Sequence, residues 1–574
     1  MGKSYDKDLS AKLKTLADHA FSGTDIQTFG NKIAPDLLGE GEEKYFAVFI
    51  AVCDTKKRAH VFHAAGLSLE EAMEQATKYA LDGVKSMGLE PKWVKLEIIT
   101  HSEEVDPQDA VNRMFSSYHE FFRRGISLDK KYEYAYTEGE INGNRLLNYK
   151  ESVLDLRSFN AYSLKRDDDV ILKTPRTLIL FDTDSWFIDE KDRTYTLFNK
   201  GYQIGRREMD IITKKDIKSI VGSAMRYLNT QLHPDGSFDY GYYPISRKLI
   251  PGYNIMRHSS TLWSLVCSTE IEKNPEVYKT TQAAIKYMIS QIERYDDGTA
   301  YLIEKSANEI KLGGNGVAII TLSQYMKVYE TDEYVKLCTE LGRGILKMMN
   351  PDGTFAHVLN ADSRELKEQF RTVYYDGEAT FALCRLYSMT GSSLWLEAAR
   401  RSVDHFIEAD YTTHRDHWVA YAVNELTMYI KEEKYYEFAL RNLFVNLDMI
   451  RMQPTTYHTY LELLMAGYET YKRMVEEKAE VAALKQYDVR KLADTIFVRA
   501  EHMLNGYGYP EYVMYLPEPS KFKGTFFVRH DGFRVRIDDV QHFCGAYIAF
   551  YRHYDEIKAL RGIEDSAQEE QETA

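Results

Sequence analysis

Between about Tyr253 and His542 one pattern keeps returning, a polar or glycine-rich cluster followed by an apolar helix. The clusters are Tyr253-Asn254-Ile255-Met256-Arg257-His258, Gly313-Gly314-Asn315-Gly316, Tyr374-Tyr375-Asp376-Gly377-Glu378, His414-Arg415-Asp416-His417-Trp418, Thr456-Tyr457-His458 and Arg536-Ile537-Asp538-Asp539-Val540-Gln541-His542. Behind them come TLWSLVC, VAIITLSQY, ATFALCRLY, VAYAVNEL, TYLELLMAGY and FCGAYIAFY. A helix that is apolar all round must be buried on every side. From about Asp216 onward some twelve helices are readable, which pair into six hairpins. Repeats of this length that cannot bury their own apolar faces stack into arrays or close into rings.

Turns of one kind punctuate the array: His233-Pro234-Asp235-Gly236-Ser237-Phe238, Asp296-Asp297-Gly298-Thr299 and Asn350-Pro351-Asp352-Gly353-Thr354-Phe355. Asp-Gly gives a tight turn, and the Phe re-enters the core, so these turns read as structural.

At 574 residues the chain exceeds one ordinary core, and two domains are expected. Residues 1–205 read as an α+β domain. A short helix (DLSAKLKTLADHAF) precedes the strands KYFAVFIAVCD and AHVFHAAG. SLEEAMEQATKYALDGVKSMG follows as an amphipathic helix, with Ser68 and Glu71 spaced as a cap, and then VKLEIITHSEEV as a further strand. Another helix is expected over PQDAVNRMFSSYHEFFRRG, and a hairpin over TLILFDTDSWFIDE and RTYTLFNKGY. Glu138-Gly139-Glu140-Ile141-Asn142-Gly143-Asn144 reads as a solvated turn. Residues 206–560 form the mainly α domain, and 561–574 an acidic, disordered tail. No phosphate loop or GxGxxG stands in the first domain, whose role the sequence leaves open.

A formal charge of −14 makes nucleic acid an unexpected partner. No stretch reaches the roughly 18 apolar residues of a membrane span. The N-terminus carries no signal-peptide core, and Cys53, Cys267, Cys338, Cys384 and Cys544 form no CxxC pair. Reduced thiols and a cytoplasmic location are the expectation. A protein partner is conceivable through the first domain.

Outer-inner helix hairpins, DG(S/T)F turns and the GEA-x-x-AL helix with polar residues at its start resemble the six-hairpin (α/α)6 toroids. That architecture includes glycoside hydrolases, polysaccharide lyases and sugar epimerases. The resemblance covers about residues 205–560 and implies an α+β domain followed by an (α/α)6 toroid whose inner-helix starts share one cleft. It implies a saccharide or glycan substrate. No cofactor and no metal are expected, since the spacing of His414, Asp416 and His417 at a helix start reads as polar contacts.

Helix N-termini stabilise carboxylates, by capping or at a working site. Asp376, Glu378, Asp416 and Asp539 are the candidate catalytic acids, on the view that Asp376 or Glu378 works against Asp416 or Asp539 across a glycosidic bond. Substrate contacts are expected from Tyr253, Asn254, Arg257, His258, Asn315, Tyr375, Arg415, His417, Trp418, His458, Arg536, Asp538 and His542. Trp418 is the expected sugar-stacking ring, with Tyr242, Tyr243, Tyr374 and Tyr457 as further platforms. Hydrolysis is the first expectation. The alternatives are uronate lyase or epimerase chemistry by Tyr/His with Arg, and non-catalytic glycan binding or assembly.

Overall fold

The computed structural model describes residues 5–106, 121–148, 153–165, 178–369, 372–479 and 481–562. The expected tail lies almost wholly outside these, as does most of the helix expected over PQDAVNRMFSSYHEFFRRG; its last described residues are not helical. The chain divides into two compact units. One comprises 1–210, 243–248 and 505–534, the other 211–242, 249–504 and 535–574. A single boundary near 205 therefore does not describe the division. The segment 505–534 is rich in Gly, Pro and aromatics rather than periodic, and it joins the first unit, where Ala59 N–H donates to Met514 O at 2.7 Å.

The first unit is built on a sheet in the order His60–Gly66, Phe46–Cys53, Trp93–Val105, Leu178–Ile188, Gly125–Ser127, Ala135–Tyr136, with Thr194–Leu197 also on Leu178–Ile188. Every side chain of Phe46–Cys53 is buried, which marks a central strand covered on both faces. Helix Leu69–Met87 packs on the first two strands. Ser68 caps it through the Glu71 N–H at 3.1 Å. The Glu71 carboxylate reaches back to the Leu67 N–H, one residue before the usual capping-box partner.

The Glu138–Asn144 segment is a correction. It is a short helix whose first six residues are buried, not a solvated turn. Glu140 accepts from the Thr137 N–H and the Tyr162 hydroxyl, each at 2.8 Å, and Asn142 exchanges two hydrogen bonds with the Phe122 backbone. Its turn-like glycines serve packing: a Cβ at Gly139 or Gly143 would stand 2.3 or 2.5 Å from Tyr515 atoms. Glu140 and Asn142 go inside here because each finds partners.

In the second unit six helices form a closed ring: Ile255–Cys267, Leu312–Tyr329, Thr372–Thr390, His417–Tyr429, Thr459–Glu476 and Ile537–Arg561. Each packs on the next and the sixth on the first. Outside them run Lys214–Thr230 against the sixth inner helix, Pro275–Ser290 against the first, and Val335–Met348, Ser393–Glu408, Glu433–Phe444 and Val489–Met503, each against its two flanking inner helices. In the second inner helix every residue from Leu312 to Met326 is buried, which its uniformly apolar sequence requires.

The Asp-Gly turns repeat one geometry. The carboxylates of Asp235, Asp297 and Asp352 each accept both the backbone N–H and the hydroxyl of the Ser or Thr two residues on. These bonds lower the pKa of all three acids.

Candidate active site at the inner-helix starts

The first turns of the inner helices supply a buried polar cluster. At the fourth, Asp416 is the N-cap. Its Oδ1 accepts the Trp418 N–H at 2.8 Å and its Oδ2 the Tyr374 N–H at 2.6 Å. Tyr374 has φ +83°, a strained geometry for a residue with a Cβ. Asp416 therefore ties the kinked start of the third inner helix to the start of the fourth. Burial raises its pKa to about 7, against the lowering effect of the backbone N–H groups.

Glu378, one turn into the third inner helix, is 4% exposed, and its Oε2 has no hydrogen-bond partner. Burial, then the neighbouring Asp416, push its pKa to about 8, so it is largely a neutral acid at pH 7. An acid with a raised folded pKa contributes its full stability below the unfolded value near 4.5. That contribution is lost as pH rises toward 8, by up to about 1.4 kcal/mol per pH unit. Glu378→Gln therefore gains stability over the native chain as pH rises from 5 to 8, read as a growing difference in denaturant midpoints. A constant difference across that range would place Glu378 as an ionised group in the fold.

Between the fourth, fifth and sixth inner helices lies a histidine cluster. His542 Nδ1 is 2.7 Å from Glu462 Oε2, and Tyr421 donates to the other carboxylate oxygen at 3.3 Å. His417 Nε2 stands 3.7 Å from Glu462 Oε2, and its ring meets that of His542 edge-on at 5.1 Å. His458 stacks flat on His542 at 5.0 Å. Neither nitrogen of His417 has a hydrogen-bond partner, although the residue is only 1% exposed. Burial, then its histidine neighbours, drive the His417 pKa well below the usual value, so it is neutral. For His542 burial acts in the same direction, but Glu462 overrides it and raises the pKa.

On the rim, Asp538 is held between two guanidinium groups. Arg257 Nε lies 3.0 Å away, and Arg536 grips both oxygens. Arg536 also reaches Asp539 at 3.5 Å, and His458 stands 3.8 Å from the same carboxylate.

The structure thus brings Arg257, Asp416, His417, His458, Arg536, Asp538, Asp539 and His542 into linked contacts at one end of the ring, with Glu378 within electrostatic reach of Asp416 and Arg257. Other sequence candidates do structural work. Both oxygens of Asp376 are taken, by His357 at 2.8 Å and the Tyr411 hydroxyl at 2.9 Å. His258 is fully buried between Tyr253 Oη and Ala284 O. Tyr253 also accepts the Phe238 N–H, and Asn254 caps the first inner helix at Arg257 N. Asn315 ties Ala300, Leu302 and Leu341 together through their backbones. Tyr375 is buried with its ring edge-on to His357. Arg415, with φ +54°, donates to Asn446.

Trp418 is 2% exposed, enclosed by Trp263, Phe381, Tyr421 and His417. It belongs to a core aromatic layer and has no exposed ring face, whereas Tyr457, stacked on Tyr460, is 42% exposed.

Glu462 is the residue that sequence reasoning missed. Its signal is a single acid inside the apolar run TYLELLMAGY, where a charge persists only with partners. His417, Glu462 and His542 each offer one ligand atom within 4.8 Å of the others. That is a two-histidine, one-carboxylate donor set of the kind that accepts a zinc-like ion.

No protein-family profile and no curated protein matches the chain. Among solved structures it is similar to cellobiose 2-epimerase from Bacillus thermoamylovorans, at 10% identity and TM-score 0.47, over 58% of this chain and 98% of that one. A sugar epimerase from a ruminal bacterium gives 12% and 0.46, over 62% and 100%. A glycoside hydrolase family 76 mannosidase from Bacteroides thetaiotaomicron gives 12% and 0.41, over 59% and 99%. At these identities and TM-scores none assigns an activity to this chain. Among the described residues no helix is long and apolar enough to cross a membrane, and all five cysteines are free and buried.

Proposed function

We propose that the second unit is an (α/α)6 toroid acting on carbohydrate, and that it moves a proton on and off a sugar carbon beside a carbonyl or carboxylate, as an epimerase or isomerase does. The observation that carries this reading is the His417–Glu462–His542 cluster. Two imidazoles meet edge-on at 5.1 Å, and their surroundings push their pKa values apart, one down and one up. That is the arrangement in which one group acts as base and the other as acid. Neutral His417 takes the proton, the electron pair moves toward the carbonyl oxygen, and protonated His542 returns a proton to carbon. Arg257 and Arg536, both paired with Asp538, are the groups this reading assigns to the substrate oxygens or a uronate carboxylate.

The test is incubation with aldoses, ketoses and uronates in deuterated water, followed by mass spectrometry. A one-unit mass gain in recovered sugar supports the reading. Arg257→Ala lowers the exchange chiefly through KM, whereas chelator treatment leaves it unchanged. Loss of exchange on chelation would instead make the histidine cluster a metal site, and a full panel with no mass gain would overturn the reading.

One observation favours hydrolysis as the second reading: Glu378, buried and protonated at neutral pH, has the character of a general acid. Its partner carboxylate is less evident, since Asp376 is saturated and Asp416 holds two backbone N–H groups. Release of reducing ends from oligosaccharides, lost in Glu378→Gln and kept in His417→Gln, would favour this reading. A folded protein that binds oligosaccharide and turns over nothing would favour the assembly factor.

A further inference from the structure

Residues from the middle to the later turns of all six inner helices line a cavity of about 610 Å³, which lies behind the histidine cluster and shares Tyr421 with it. None of the chemistry above uses it. Its size falls in the range of small-molecule sites. The aromatic layer of Trp263, Phe381 and Tyr421 lines its inner part, with Phe381 and Tyr421 stacked at 5.7 Å.

The charged groups around it cancel. Lys327, Arg385 and Arg552 face Glu270, Glu425 and Glu469. Arg552 binds Glu270 and Glu469, each at 2.8 Å, and Arg385 stands 3.6 Å from Glu425. With three cations against three carboxylates, and Arg552 held by two of them, the lining has no net charge to favour an ionic ligand. An anion would also meet the negative ends of the first four inner helices, whose last turns reach the cavity. What the lining offers is a dense alternation of donors and acceptors beside apolar rings, with Gln324 and Asn424 adding both kinds. Three lining groups hold no hydrogen bond in the protein: the Ser264 hydroxyl, in a residue 1% exposed, the Trp263 indole N–H, in a residue 8% exposed, and the Arg385 Nε–H. Buried polar groups without partners are costly. A ligand suited to all of this carries closely spaced groups that each donate and accept, and has an apolar face for the aromatic layer. Hydroxyls on a saturated ring meet both conditions.

We infer that this cavity is a second binding site, for a neutral polyhydroxylated ring such as one or two saccharide units. The inference stands apart from the chemistry assigned to the histidine cluster.

The experiment uses the full chain carrying His417→Gln, so that turnover does not intrude, with cellobiose and maltose as probes. Crystals soaked in either should show a sugar ring against Phe381 and Tyr421, within hydrogen-bonding distance of Arg385 or Glu425. In calorimetric titration, Ser388→Trp, which fills the mouth, and Gln324→Leu, which removes a polar contact, should each weaken binding at least tenfold in protein of unchanged melting temperature. Glucuronate and glucosamine should bind no tighter than glucose. Sugar density only at the inner-helix starts, equal binding by both cavity variants, or tighter binding of a charged sugar would each overturn the proposal.

Discussion

Replacing His417 by Gln lowers hydrogen exchange between substrate and solvent by about 10²- to 10⁴-fold and leaves the protein folded. Glutamine keeps a polar group in the space and removes the only function the proposal needs, a nitrogen that takes up a proton. Folding is spared because neither nitrogen of His417 holds a hydrogen bond that the substitution would break. His542→Gln should match the loss in rate. It also removes the 2.7 Å partner of Glu462, and so adds a stability cost that His417→Gln lacks. The double variant should be little slower than either single one, because groups that act as one unit are not additive. Exchange within a few-fold of the native rate in His417→Gln would remove this histidine from the chemistry. A loss in His542→Gln alone would move the work to the His542–Glu462 pair.

The ring was legible in the sequence because burial leaves a periodic mark. Each of the six inner helices is apolar on faces that an ordinary surface helix keeps polar, and each follows a cluster rich in Asp, Gly, His or Arg. The site was legible only as a set of helix starts. Asp376 and Glu378 stand two residues apart in one cluster, yet Asp376 is saturated by His357 and Tyr411 while Glu378 Oε2 has no partner. Which side chain is consumed by structure depends on residues far along the chain, and no local pattern carries that. Trp418 failed as a platform for a related reason: adjacency to His417 does not tell which neighbour faces the cleft and which the core. Glu462 was within reach, since an acid inside TYLELLMAGY demands an explanation, but it stands one turn beyond its polar cluster. The segment 505–534 went astray because its aromatic, Gly/Pro-rich composition has no helical period to assign it to either unit.

Gly316→Ala and Gly313→Ala should each destabilise the fold by about 1–3 kcal/mol or more, whereas Gly314→Ala should stabilise it by about 0.5–1 kcal/mol. All three lie in the first five residues of one helix, so propensity alone would favour alanine at every one. Space decides instead. A Cβ on Gly316 would stand 2.7 Å from the backbone oxygen of Glu378 and 3.0 Å from the Ala379 nitrogen, atoms that move only if the third inner helix moves. On Gly313 it would overlap Glu378 Oε2, at 1.9 Å, and drive the carboxyl from its seat. On Gly314 its nearest neighbour would be Leu302 Cδ2 at 3.6 Å, an ordinary contact, and the only remaining effect is the entropy glycine loses on folding. Denaturant midpoints of the three variants give the comparison directly. Gly313→Ala carries a second readout, because moving the Glu378 carboxyl changes its burial and should flatten the pH dependence of stability. Equal midpoints for the three alanines would mean that the second and third inner helices do not approach this closely, and that Glu378 is not seated against Gly313.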